Sequence, residues 1–221
     1  MSGERSQLGA PGAASGGMIQ SAISSQPRRN ESSGPVAPTV WTLGHSTRPL
    51  PEFLELLDRF RIEALADVRR FPGSRRHPQF GAPALEEVLT AHGIEYRWLP
   101  ELGGRRKPRP DSPHTAWRNA SFRGYADHMD SMEFGRAFDE LTELARRRRT
   151  AIMCAEALWW RCHRALIADA LRVRGFEVMH IFDDSNPVEH PFTPAARIVD
   201  GRLSYEAAPS EPRRARPRRS R

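Results

Sequence analysis

The chain has two cysteines, one lysine and three tyrosines in 221 residues. Two cysteines cannot build the disulfide framework on which small secreted domains depend, so a reducing compartment is expected and the cytoplasm is the predicted location. No stretch approaches the roughly 20 apolar residues of a membrane span. No apolar segment follows the first charges at the N-terminus, so neither a secretory leader nor a membrane partner is expected. Neither G-x-G-x-x-G nor G-x-x-x-x-G-K-[ST] occurs, which leaves dinucleotide-cofactor and P-loop readings without support. No cofactor is predicted, and no internal repeat is present. Nothing in the sequence sets an oligomeric state.

The net charge is +7, but it is unevenly spread. Residues 208–221 carry six arginines against Glu211, which leaves the body of the chain close to neutral. Such a tail attracts polyanions without sequence preference, and blocks of like charge are commonly disordered. Residues 1–38 are Gly, Ser, Ala, Pro and Gln with almost no large apolar side chains. They cannot bury enough surface to offset their ordering entropy, so both ends are expected to be disordered. The predicted division is 1–38, an α/β domain at 39–207, and a basic tail at 208–221.

Within the domain, apolar runs alternate with amphipathic ones. Strands are predicted at 40–43, 62–68, 96–99, 151–154 and 178–182. Helices are predicted at 50–60, capped by Ser46 or Thr47, at 84–92, ended by Gly93, and at 134–144, opened by Asp130-x-x-Glu133. The last helix is predicted at 162–174, where Cys162, Leu166, Ala170 and Val173 share a face. Residues 105–130 read as a polar excursion too long for an ordinary connection, and a hairpin is expected around Asp200-Gly201. The fold class is α/β: a single domain with a mostly parallel open sheet of about five strands and helices on both faces.

The polar residues able to do chemistry fall at the carboxyl ends of these strands. They are His45 and Ser46, Asp67 and Arg69, Gly103-Gly104, Cys154 and Glu156, and Asp183. Open α/β sheets bind ligands in that crevice, so one pocket is predicted. Cys162-His163-Arg164 opens the helix after the fourth strand. A helix N-terminus favours a thiolate or a bound anion, and Arg164 adds charge to it. Adjacent helical residues point about 100° apart, so His163 is poorly placed to take the Cys162 proton, and His45 is the expected partner. Cys162 reads equally as a buried packing residue. Asp67 and Glu156 read either as a general acid–base pair or as partners neutralising Arg69 and Arg164. Cys154, Cys162 and His163, with His45 or His180, do not have a standard zinc spacing, and no metal is predicted. Trp159 and Trp160 suit base stacking or a core edge.

The ordered set Gly-His-Ser, Asp-Val-Arg with Pro-x-Ser and Pro-x-Phe, Leu-Gly-Gly, Cys-Ala-Glu and Cys-His-Arg resembles one bacterial and archaeal family. That family is catalogued as domain of unknown function 488, and the resemblance runs from about Trp41 to Ile181. It carries over His45, Ser46, Asp67, Arg69, Ser74, Cys154, Glu156, Cys162, His163 and Arg164, and implies no activity. The spacer Ala-Leu-Trp-Trp-Arg before Cys162 departs from the shorter-sided acidic, proline-containing segment of many relatives.

The expected function is therefore an anion-accepting pocket acting on a phosphate- or nucleobase-containing substrate. Arg69 and Arg164 would bind the anion, with Ser46, Ser74, Cys154 and His163 as further ligand-binding positions. His45, Glu156 and Asp67 would handle protons, and Cys162 would be nucleophile or pocket wall. A second reading is a non-catalytic module holding nucleic acid weakly through its arginine tail. A third is a thiol redox or metal sensor.

Overall fold

The computed structural model describes residues 37–73 and 75–208. The N-terminal extension, nearly all of the basic tail and Ser74 lie outside the described residues. Five parallel strands form the body of the sheet: β1 (Thr39–Gly44), β2 (Ala64–Asp67), β3 (Glu95–Trp98), β4 (Thr150–Cys154) and β5 (Glu177–His180). A two-residue antiparallel edge strand, β6 (Val188–Glu189), completes the order β3-β2-β4-β1-β5-β6. The expected hairpin is present as β7 (Arg197–Val199) and β8 (Arg202–Ser204), turning at Asp200 and Gly201, both at positive φ. No helix among the described residues is long and apolar enough to cross a membrane.

Two apolar layers sandwich the sheet, and strand alternation assigns each residue to one of them. Trp41, Leu43, Leu65, Ala151 and Met153 pack with helices α1 (Leu50–Arg59) and α2 (Ala82–Ala91). Val40, Ala64, Ala66 and Ile152 pack with α3 (Ala120–Met129), α4 (Met132–Arg147) and α5 (Arg164–Val173) on the other face. Right-handed crossovers require this division. The chain moves outward from β1 through β2 to β3 on one face, then reverses and returns through β4 to β5 on the other. The connections leaving β1 and β2 therefore run to one face, and the connection leaving β4, which lies between them, runs to the opposite face. A crevice opens on each side of the β4 carboxyl end.

Four local expectations are corrected. Helix α1 has Pro49 at its N-cap and so no side-chain cap, and Pro51 in its first turn supplies the helical φ and has no N–H to satisfy. The capping residue of α4 is Ser131, which accepts from the Phe134 N–H at 3.2 Å, rather than Asp130. The polar excursion contains a ten-residue helix, α3, whose first amides are taken by the Asn119 carboxamide. Finally, α5 begins at Arg164. Cys162 precedes it in an extended conformation, φ −130° and ψ 151°.

Candidate functional site

The loops leaving β1 and β4 cross at the crevice, and glycine permits the crossing. A Cβ on Gly44 would fall 1.9 Å from the Glu156 carbonyl oxygen. The Ser46 N–H donates to the Ala155 carbonyl at 3.0 Å, and Ser46 holds φ +50°, a cost that a tightly tied loop can sustain. The resulting cleft has two lobes of about 370 and 520 Å³, which share Arg69, Phe71, Arg105, Ala155, Glu156 and Arg161.

The Asp-Val-Arg motif forms the floor. Arg69 forks onto both carboxylate oxygens of Asp67 and also donates to the Phe80 carbonyl at 2.8 Å. The Tyr96 hydroxyl donates to Asp67 at 2.7 Å. Asp67 is fully buried and paired with Arg69, the geometry of the neutralising reading. His45 stacks on Phe80, ring centroids 4.2 Å apart, which accounts for the Pro-x-Phe motif. Its Nδ1–H donates to the Ser46 carbonyl, and its Nε2 accepts from Arg69 at 3.3 Å. Burial, followed by the Arg69 charge, lowers its pKa to about 4. With that lone pair occupied, His45 does not serve Cys162.

The partner of Cys162 is its neighbour. The His163 Nε2–H donates to the Val68 carbonyl at 2.9 Å, an acceptor that fixes the tautomer and turns Nδ1 toward the Cys162 sulfur at 3.4 Å. The helical objection to this pair fails because Cys162 lies outside the helix, in extended backbone. Gly104 makes room for the ring: a Cβ there would meet His163 Nδ1 at 2.7 Å. Tyr125 packs on the other side, 5.2 Å between centroids, anchored by its hydroxyl on the Leu102 carbonyl. Burial pushes the Cys162 thiol up, but the Cys154 hydrogen bond, His163 and Arg164 together hold it well below the ordinary cysteine value. The same hydrogen bond, aided by burial, raises Cys154 well above that value. The two sulfurs are thus pulled in opposite directions, Cys162 toward the thiolate and Cys154 toward the thiol. Both are free cysteines. The donor atoms of Cys154, Cys162 and His163 lie within 4.8 Å of one another; hydrogen bonds among them and to Val68 already occupy each donor.

Arg164 and Glu156 depart from expectation. Arg164 is 1 % exposed and gives its donors to Thr42 Oγ1 and to the Glu156 and Ala157 carbonyls. It braces the cleft loop from behind and has no face toward a ligand. It meets the main chain of Glu156, whose carboxylate stands exposed in the cleft. Arg70, Arg105 and Arg161 are the cations that line the smaller lobe with Arg69. Among the described residues, none of these three has a carboxylate within ion-pair distance. No signal marks them in a chain so rich in arginine. Tyr125, hidden in the polar excursion, was equally inconspicuous. Ser74 lies outside the described residues, and His180 lies behind the cleft in a buried network that reaches Arg164 through Thr42.

A family model described as a domain of unknown function, DUF488, matches residues 49–171. It spans the Asp-Val-Arg, Leu-Gly-Gly, Cys-Ala-Glu and Cys-His-Arg motifs and stops short of Gly-His-Ser. No curated protein and no solved structure matches the chain.

Proposed function

The chain belongs to the DUF488 family, whose description names no activity, and from the cleft itself we propose an enzyme that acts on a small anionic substrate through the Cys162 thiolate. Cys162 is the nucleophile, and His163 holds the proton that the thiol gives up. Arg70, Arg105 and Arg161 bind the anion, whose phosphate or carboxylate oxygens match the forked donors of guanidinium. Glu156, the only carboxylate lining either lobe among the described residues, stands at the mouth as a proton acceptor for the substrate. The observation that carries this reading is the 3.4 Å contact between Cys162 Sγ and a His163 ring whose far nitrogen is held by Val68. A weakly solvated thiolate beside three unneutralised arginines is a site for anions.

Paired alkylating reagents test it. Iodoacetate is anionic and iodoacetamide neutral, and both modify thiolates. Relative to iodoacetamide, iodoacetate is expected to react faster at Cys162 than at a free thiol. That preference is expected to fall roughly tenfold in the Arg105→Ala/Arg161→Ala variant, with the iodoacetamide rate unchanged. A preference unchanged in the variant rejects the anion site, and a Cys162 inert to both reagents in the folded protein rejects the nucleophile.

A further inference from the structure

The chemistry above uses Cys162 and leaves Cys154 without a task. Cys154 closes β4 at the cleft, and Cys162 returns to it eight residues later, just before α5. Their sulfurs lie within 4.8 Å of each other and line the same 370 Å³ lobe. Closing that gap to the roughly 2.05 Å of a disulfide asks only a local adjustment of the extended segment that carries Cys162. Cys162 is held as the attacking sulfur by His163 and Cys154 behind it as a protonated reserve. This is the arrangement that thiol–disulfide exchange requires, with one thiolate to attack and a second thiol in reach of the resulting mixed disulfide.

We infer that Cys154 and Cys162 act as a dithiol couple that reduces anionic disulfides bound against Arg70, Arg105 and Arg161. The inference rests on the anion-binding cleft served by Cys162. In the first step the Cys162 thiolate attacks one sulfur of R–S–S–R. A bond forms between Cys162 Sγ and that sulfur, the substrate S–S bond breaks, and R–S⁻ leaves with the proton held by His163. In the second step Cys154 gives its proton to His163 and its sulfur attacks Cys162 Sγ. The Cys154–Cys162 disulfide forms and the second R–S⁻ departs with that proton. Two electrons pass from the two cysteines to the substrate, which leaves as two thiols. A low-molecular-weight dithiol returns the protein to its reduced form.

The test uses the whole chain and two probes, the dianionic disulfide dithiobis(nitrobenzoate) and the neutral dithiodipyridine. With a slight excess of the dianionic reagent, the folded protein is expected to release two thiolates per chain. It should lose two hydrogens and retain no aromatic adduct, and peptide mapping should show Cys154 joined to Cys162. Cys154→Ser is expected to release one thiolate and to keep the nitrobenzoate on Cys162. Arg105→Ala/Arg161→Ala should slow the first release roughly tenfold with the dianionic reagent and leave the neutral one unaffected. Retained adduct on the wild-type protein overturns the dithiol couple and leaves the function proposed above standing. Thiols that react only after a chelator removes a bound metal overturn the couple in the same way. Equal effects of the arginine changes on both probes overturn the anionic class and the proposed function together. If Cys154→Ser does not fold, the mass and peptide map of the wild-type protein decide alone.

Discussion

The Nε2 atom of His180 lies 2.9 Å from Nδ1 of His190, and neither residue is more than 1 % exposed. Burial and the His190 ring beside it lower the His180 pKa, and the hydrogen bonds run outward from this pair. The Asp169 carboxylate only accepts, so the hydrogen between it and His190 sits on Nε2, at 3.0 Å. His190 Nδ1 is hydrogen-bonded to His180 Nε2, and His180 Nδ1 to the Thr42 hydroxyl at 2.7 Å. Thr42 Oγ1 in turn accepts from Arg164, which holds the cleft loop at Glu156 and Ala157. One line of hydrogen bonds thus joins the loop behind the thiol pair to a carboxylate on α5. Asp169 also collects the Thr193 N–H and hydroxyl and the Tyr205 hydroxyl, which ties the C-terminal segment to the same helix.

Asp169→Asn replaces one of these accepting oxygens with an N–H₂ that faces donors. It is expected to cost about 2–4 kcal/mol, the penalty of leaving several buried donors unpaired. Urea unfolding should show a lower midpoint with an unchanged slope. A variant within 0.5 kcal/mol of wild type, roughly the scale of an exposed substitution, would show that the network does not hold the fold.

Asp67→Asn is expected to cost about 3–5 kcal/mol, because it strands the Arg69 charge in a buried position. The comparison that isolates the pair is the Asp67→Asn/Arg69→Met double variant. It should be more stable than the single variant, and equal stabilities would mean that the ion pair is not what the single change breaks.

Acid should destabilise the protein through His45. Its folded pKa is near 4 against 6.5 for the ordinary imidazole. The unfolded chain therefore takes up a proton below pH 6.5 that the folded state refuses. The stability linked to this ring is complete above that pH and is lost as the pH falls toward 4, about 3 kcal/mol in all. His180, whose value burial also lowers, adds to the same trend. His45→Asn should flatten the dependence of the urea midpoint on pH across this window, and an unchanged slope would remove His45 as its source.

The alkylation of Cys162 by iodoacetamide should rise with pH to a midpoint well below the free-thiol value of about 8.5. His163→Gln should move that midpoint upward. Gly104→Ala should move it in the same direction by pushing the ring off the sulfur, at a cost of about 1–3 kcal/mol for the overpacking. A midpoint that neither change alters would show that the ring does not set the thiolate.

Much of this was legible in the chain. Residues 40–43 and 151–154 are apolar on both faces of the strand, so they read as buried parallel strands, and buried parallel strands need helices on each side. Charged and thiol-bearing residues at the strand ends then marked one crevice. The partners of those residues were not legible. His163 looked turned away from Cys162 because the helix was assumed to start at Cys162, and the extended backbone of Cys162 itself reverses that conclusion. Arg164 looked like a ligand group because sequence proximity to Glu156 does not distinguish a carboxylate from a main-chain carbonyl. The edge strand β6 is two residues long and leaves no periodic signal.

Composition and periodicity determined the α/β class, the strand ends that face the crevice, and the motif set that places the chain in its family. Those properties are local or additive, since they depend on which side chains recur along the chain and how often. The tertiary structure alone decided which arginines are paired with carboxylates or carbonyls and which line the cleft, which nitrogen of His45 and His163 faces a carbonyl, and which cysteine is drawn toward the thiolate. Several of those depend on a partner distant in sequence, as Val68 is to His163 and Thr42 is to Arg164. A hydrogen bond is set by distance and direction in space, and neither is written in the order of the residues.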